Sequence, residues 1–147
     1  MITAQRIRVA AAITSKKRLL EVLAELLTSA HPQLCDAGIF ERLIERERLG
    51  STGIGHGVAL PHARVAELTH EIGAFVQLRE PIPFNAIDGQ PVDLAFALLA
   101  PDDDSDQHVR QLAGLAMLFS DAERRTLLRR TTNPDTLLTL LTCEPPL

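Results

Sequence analysis

The sequence predicts an α/β protein in which a mixed sheet lies between helical layers, within a single domain spanning residues 1–147. Three observations lead there. Helical periodicity dominates both ends of the chain, and short apolar runs with turn chemistry between them occupy the middle. No linker, internal repeat or low-complexity tract divides the two patterns. At 147 residues the chain can bury a substantial core, and with 46% hydrophobic and 23% charged residues its balance is that of a globular domain. There is no Trp or Tyr and only five Phe, so aliphatic side chains must fill that core.

In chain order, Ile7 and Val9 alternate with Arg6 and Arg8, which predicts a short first strand. Thr14 or Ser15 offers a cap for a helix reaching about Ser29. Its Leu19, Leu23, Leu26 and Leu27 share one face, opposite Lys16, Lys17, Glu21 and Glu25. His31-Pro32 ends it. Asp36 is the expected cap of a second helix, carrying Ile39, Phe40, Leu43 and Ile44 at helical spacing and closing on Glu45-Arg46-Glu47-Arg48. A glycine-rich stretch follows, with His62 expected at the end of a short strand. Ile72 to Leu78 reads as a strand interrupted by Pro81 and Pro83, and Asp88-Gly89 as a turn. Val92 to Leu99 is almost wholly apolar, as a strand covered on both faces should be. Pro101 to Asp106 leads into a helix capped by Ser105, with Val109, Leu112, Leu115, Ala116 and Phe119 on one side. Asp121 to Arg130 and a segment opening on Asn133-Pro134 complete the set.

The formal charge of −4 and a pI of about 5.7, without a basic cluster interleaved with aromatics, argue against nucleic acid as a partner. No run approaches the length of a membrane span and no basic region precedes an apolar leader, so neither insertion nor secretion is expected. Cys35 and Cys143 share no metal-ligand spacing and read as free thiols of a reducing cytoplasm.

The stretch most able to carry chemistry is Gly50-Ser51-Thr52-Gly53-Ile54-Gly55-His56-Gly57-Val58-Ala59-Leu60-Pro61-His62. Glycine admits positive φ and close approach, and successive bare N–H groups can form an anion nest. Pro61 holds Leu60 extended and fixes the direction of His62. An imidazole beside such amides suits a phosphoryl group. Of the other histidines, His31 and His70 read as surface residues. His108 falls in the first turn of its helix, where the dipole favours an anion and opposes protonation. It is equally a polar first-turn residue. Arg46 offers a planar fork for phosphate oxygens, or a solvated helix charge paired with Glu45 or Glu47. The aspartates at 102–104 read as a solvated capping loop, lacking the alternation of a calcium loop. A metal site from His56, His62 and His108 would need non-standard spacing.

These residues resemble the active-site signature of IIA proteins of the bacterial phosphoenolpyruvate phosphotransferase system. The likeness is to the fructose/mannitol type and, within it, to the nitrogen-regulatory branch. It extends to Ser15-Lys16-Lys17-Arg18, Arg46-Glu47-Arg48-Leu49-Gly50, Phe75-Val76-Gln77-Leu78, Asp88-Gly89-Gln90-Pro91-Val92-Asp93-Leu94 and Phe96-Ala97-Leu98-Leu99. The resemblance implies an α/β sandwich with a mixed central sheet flanked by helices on both faces. It implies His62 as phosphoryl acceptor through Nε2, with Arg46 and His108 as active-site partners. Ser51, Thr52, Gly53, Gly55, His56 and Gly57 would form a phosphate-binding loop. His56 stands where nitrogen-regulatory members commonly have Asn.

The expected donor is an HPr-type phosphocarrier, and neither a metal nor another cofactor is required. The expected role is regulation of partner proteins, such as kinases or transporters, by phosphorylation state. Relay of phosphate to a fructose/mannitol-type sugar transporter is the alternative. A cytoplasmic monomer or weak dimer is the expected form.

Overall fold

The computed structural model describes residues 1–29, 31–103 and 105–142. In chain order its elements are β1 (Ile7–Ala11), α1 (Lys16–Thr28), α2 (Asp36–Arg48), β2 (Gly53–Gly55), β3 (Val58–Ala59) and β4 (His62–Val65). Then come β5 (Ile72–Ile82), β6 (Val92–Pro101), α3 (Gln107–Ser120), α4 (Ala122–Arg130) and α5 (Pro134–Thr142), with a 3-10 turn at Ala4–Arg6 ahead of β1.

The strands form one mixed sheet in the order β1-β5-β6-β3-β2, with β4 beside the second half of β6. β5 and β6 are antiparallel, whereas β1 runs parallel to β5, and β3 and β4 run parallel to β6. β3 and β4 keep one register on β6: Val58 faces Leu94, Ala59 faces Ala95, His62 faces Leu98 and Ala63 faces Leu99. They are a single strand line interrupted at Leu60-Pro61, because proline has no N–H to give. The carbonyl of Pro61 still accepts from the Leu98 N–H at 2.9 Å. His62 therefore opens a strand instead of ending one. That strand pairs with β6 alone among the described residues, which leaves its other side open to the helices.

Alternation along the strands builds two cores of different texture. On one face Ala59, Ala74, Ala95 and Ala97, all fully buried, meet the leucines of α1 and Ile39 and Leu43 of α2. On the other, Val58, Leu60, Phe75, Leu94, Phe96 and Leu98 meet Leu115, Leu118 and Phe119 of α3, Leu128 of α4, and Leu137 and Leu141 of α5. The sandwich has helices on both faces, as expected. One side of the sheet sets alanines among Ile72, Val76, Leu78 and Leu99, and the other carries the phenylalanines of β5 and β6.

The helix starts follow local chemistry. Ser15 Oγ accepts from the Arg18 N–H at 3.1 Å, Asp121 Oδ1 from Glu123, and Asn133 Oδ1 from Asp135 and Thr136. Two expected caps move by one residue. Cys35, not Asp36, holds the cap position of α2, and Asp36 sits in the first turn, where its charge suits the dipole. Asp106, not Ser105, precedes α3, because Ser105 is bonded through N–H and Oγ to Asp103. β5 runs through Pro81, since its register on β6 shifts between Gln77 and Ile82 and the irregularity accommodates a residue without an N–H. Cys35 is a free, exposed thiol. Cys143 and Asp104 lie outside the described residues. Among those described, no helix is long and apolar enough to cross a membrane.

Candidate functional site

His62 lies at the seam between the two helical layers. Its side chain falls on the strand face shared by Val58 and Leu60, toward α3, while the open edge of β4 admits the C-terminal turn of α2. The ring is held from both nitrogens. Nδ1 lies 2.7 Å from the Leu60 carbonyl oxygen. A carbonyl can only accept, so Nδ1 carries the proton and Nε2 is left with its lone pair. Arg46 Nε donates to that Nε2 at 3.3 Å, and Arg46 Nη1 donates to the Gly50 carbonyl at 2.8 Å. The guanidinium is thus fixed by backbone on one side and aimed at the ring on the other. Among the described residues it forms no ion pair with Glu45 or Glu47.

His108, the second residue of α3, enters from the opposite layer. Its ring centroid is 5.6 Å from that of His62, with the planes tilted by 55°. It is only 7% exposed, and its Nδ1 is buried with no hydrogen-bond partner among the described residues. A buried polar atom left unmatched is uncommon and marks this ring as placed for more than apolar packing.

Both rings are held below the ordinary histidine range. Burial is the main cause for His62, and the Arg46 charge adds to it, partly opposed by the Leu60 carbonyl and Glu47. For His108 burial again leads, followed by the charges of His62 and Arg64. Both imidazoles are therefore neutral at neutral pH, and His62 presents a nucleophilic nitrogen. The three residues open into a cleft of about 720 Å³ that Arg42, Arg48 and Arg64 also line. None of those three arginines is in an ion pair among the described residues, and four arginines with Arg46 against the one carboxylate of Glu45 give the cleft a positive lining that attracts anions. Leu49, 85% exposed, stands on its wall, and exposed Val109 follows His108 on α3.

The glycine-rich stretch is engaged by the protein's own groups. None of Ser51, Thr52, Gly53, Gly55, His56 or Gly57 lines this cleft. Ser51 Oγ accepts from the Gly53 N–H and donates to the Phe84 carbonyl, while the Thr52 N–H is bound to Glu47. β2 and β3 form a hairpin, with Gly55 paired to Val58 across a two-residue turn of His56 and Gly57. Both turn residues have positive φ, 56° and 79°, the φ pattern of a type I′ turn. Asn-Gly is the favoured pair there, and His is among the side chains that tolerate the left-handed region. The departure at position 56 is thus a turn matter. The His56 N–H donates to Asp88 Oδ2 at 3.0 Å, and its carbonyl accepts from Arg129 Nη2, an arginine also paired with Asp93 at 2.9 Å. His56 and Gly57 line a separate cleft with Asp88, Asp93 and Arg129. Among the described residues no three His, Cys, Asp or Glu side chains are grouped to hold a metal ion, so His56, His62 and His108 do not form such a group.

The family model for the phosphoenolpyruvate-dependent sugar phosphotransferase system, EIIA 2, matches residues 1–143. The chain belongs to that family. Among EIIA 2 relatives, the nitrogen regulatory protein of Escherichia coli (strain K12) is 47% identical over 120 residues, covering 79% of this chain and 69% of its own length. The crystal structure of nitrogen regulatory protein IIA-Ntr from Neisseria meningitidis superposes with a TM-score of 0.90 at 39% identity, over 96% of each chain. A mannitol-type IIA from Escherichia coli, solved in complex with phosphorylated IIB, shares the fold with a TM-score of 0.77 at 20% identity, over 96% of this chain and 98% of its own.

The sequence offers Thr52 as a phosphate-loop residue and Glu47 as a candidate partner of Arg46, and the structure joins the two to each other. Glu47 is only 9% exposed although it lies on the last turn of a surface helix. Its carboxylate accepts from the Thr52 N–H at 2.8 and 3.0 Å and from Thr52 Oγ1 at 2.5 Å, and Lys16 Nζ stands 3.5 Å away. The only hint was a Thr just past the end of a helix closing on alternating charges.

Proposed function

We propose that this EIIA 2 chain is a phosphoryl carrier that accepts the group from a phospho-HPr-type protein on His62 Nε2 and regulates partner proteins according to its phosphorylation state. The observation that supports the reading is the fixed tautomer: Leu60 holds the Nδ1 proton, so Nε2 keeps the lone pair, and the Arg46 N–H now on it would shift to the phosphoryl oxygens as the group arrives. As the Nε2–P bond forms, the donor's N–P bond breaks and its electron pair returns to the donor's ring nitrogen. The transition state is loose, with charge on three equatorial oxygens, so the protein contributes position and electrostatics. Arg46 and His108 meet those oxygens, and Arg42, Arg48 and Arg64 supply the surrounding positive field. Positive charge gained by the His62 ring is stabilised by the Leu60 carbonyl and by Glu47 beneath it.

Loading adds about −1.5 to −2 charges to a basic cleft walled by an exposed leucine, which alters the protein surface that fits there. The nitrogen-regulatory relatives at 47% identity favour regulation, in the cytoplasm, as the output. The mannitol-type neighbour solved with phosphorylated IIB favours a second reading, relay to a sugar-transporting partner. Incubation with phosphoenolpyruvate, the system's first enzyme and HPr should place one acid-labile phosphate on His62 by mass spectrometry, and His62→Ala should carry none. Phosphate on the variant, or none on the wild type, overturns the assignment. Onward transfer to a sugar in isolated membranes would select the second reading.

A further inference from the structure

One turn of α2 touches His62 twice. Arg46 reaches Nε2 directly, and Glu47, its neighbour in sequence, reaches the opposite side of the ring through backbone. The Glu47 carboxylate binds the Thr52 N–H and Oγ1 at 2.5–3.0 Å. The Thr52 carbonyl accepts from the Leu60 N–H at 2.9 Å. The Leu60 carbonyl in turn takes the Nδ1 proton of His62 at 2.7 Å. We propose that Glu47 is a positioning residue for His62, fixing through Thr52 and Leu60 which ring nitrogen keeps its proton and where the ring points. The proposal rests on His62 being the phosphoryl acceptor.

The physical case is the anchor's stiffness. A carboxylate this deeply buried is costly unless paired and hydrogen-bonded, and this one has three short contacts to a single residue plus an ammonium. Lys16 is itself pinned, donating to the Phe84 carbonyl at 3.0 Å with its nitrogen 4.4 Å from the Phe84 ring centre. Thr52 is therefore held from α1, α2 and the segment before the Asp88-Gly89 turn at once. Leu60 precedes Pro61 at the interruption of the strand line, where the β6 ladder gives it no assigned partner. Its side chain is packed in the core, and its backbone N–H is held by the Thr52 carbonyl. A loosened Thr52 would let the Leu60 carbonyl drift, leaving the Arg46 N–H as the remaining brake on moving the His62 proton to Nε2. Each molecule with the proton on Nε2 has lost its nucleophile. The charge on Glu47 also favours the imidazolium character the ring acquires on phosphorylation.

The test reads the His62 tautomer in unphosphorylated protein by 15N-histidine NMR, alongside initial rates with phospho-HPr. Wild type should show Nδ1–H. Glu47→Gln turns one acceptor into an amide donor facing Thr52 or Lys16, so the Nε2–H population of His62 should rise and the rate fall by about tenfold or more. Thr52→Val, which removes only the hydroxyl contact, should move both readings less and in the same direction, while Thr52→Ser should match wild type. A folded Glu47→Gln protein with unchanged tautomer and rate overturns the proposal. If that variant does not fold, Thr52→Val carries the test on the same readings. Because the tautomer is read without a donor, a shift in a protein that phospho-HPr never loads supports the relay while removing the proposed function.

Discussion

The two histidines of the glycine-rich stretch, His56 and His62, are six positions apart and occupy opposite environments. His62 sits half-buried at the open edge of β4, with one nitrogen pinned and the other aimed at an arginine. His56 sits exposed on a hairpin tip, where its backbone does the work: N–H to Asp88, carbonyl to Arg129, φ in the left-handed region. A single motif thus divides into a chemical half and an architectural half. The glycines before the proposed acceptor have a structural task of their own. Here they let β2 and β3 turn tightly, which delivers β4 to its place along β6.

Substitutions in the two halves should separate cleanly. The largest effect is expected from Arg46→Ala, which removes a donor aimed at the nitrogen proposed to take the phosphoryl group. Loss of one such preorganised donor costs about 2.7–4 kcal/mol, or roughly 10²–10³ in rate. Rapid-quench phosphorylation by phospho-HPr should show that slowing while thermal unfolding stays close to wild type. An unchanged rate would take Arg46 out of the mechanism.

Gly57→Ala should do the reverse. The added Cβ would stand 2.5 Å from Arg129 Nη2 and 2.9 Å from Asp93 Oδ1, at a φ of +79°. The backbone conformation alone costs an L-residue about 1–2 kcal/mol. Urea unfolding should register at least that loss, with the phosphorylation rate of the folded protein unchanged. A slowed rate would mean that the hairpin and the cleft are coupled after all.

The smallest effect belongs to His56→Asn. Asn-Gly is the preferred pair for this turn, so stability should stay the same or rise by about 0.5 kcal/mol at most. Phosphoryl lifetime, followed by acid-labile phosphate decay, should not move. A changed lifetime would place the His56 ring in contact with the loaded site.

Much of this architecture could be read before any coordinates. Leucine spacing marked α1, the Asn133-Pro134 pair marked α5, and the unbroken apolar run marked β6 as the covered centre. These are local signals, carried by periodicity and caps. His62, Arg46 and His108 were legible through the signature and its resemblance, and the fold gathers them from a strand, a helix end and a helix start. What escaped was of another kind. The Glu47–Thr52 clamp joins a helix to the loop after it through a buried carboxylate, and a charged residue between two arginines reads as solvated surface. The extension of β5 through Pro81 depended on an irregular register with β6, which the segment alone does not encode.

The alanines on the α1–α2 face of the sheet have a reach beyond packing. Ala59, Ala74, Ala95 and Ala97 set how closely the α1–α2 layer can settle, and Arg46 is carried at the end of that layer. A side chain enlarged at Ala95 or Ala97 would be overpacked by about 1–3 kcal/mol and would lift the layer outward. The guanidinium would then hang short of its imidazole, though neither had been touched. Four of the smallest side chains in the interior act as a shim that keeps the reactive pair in register.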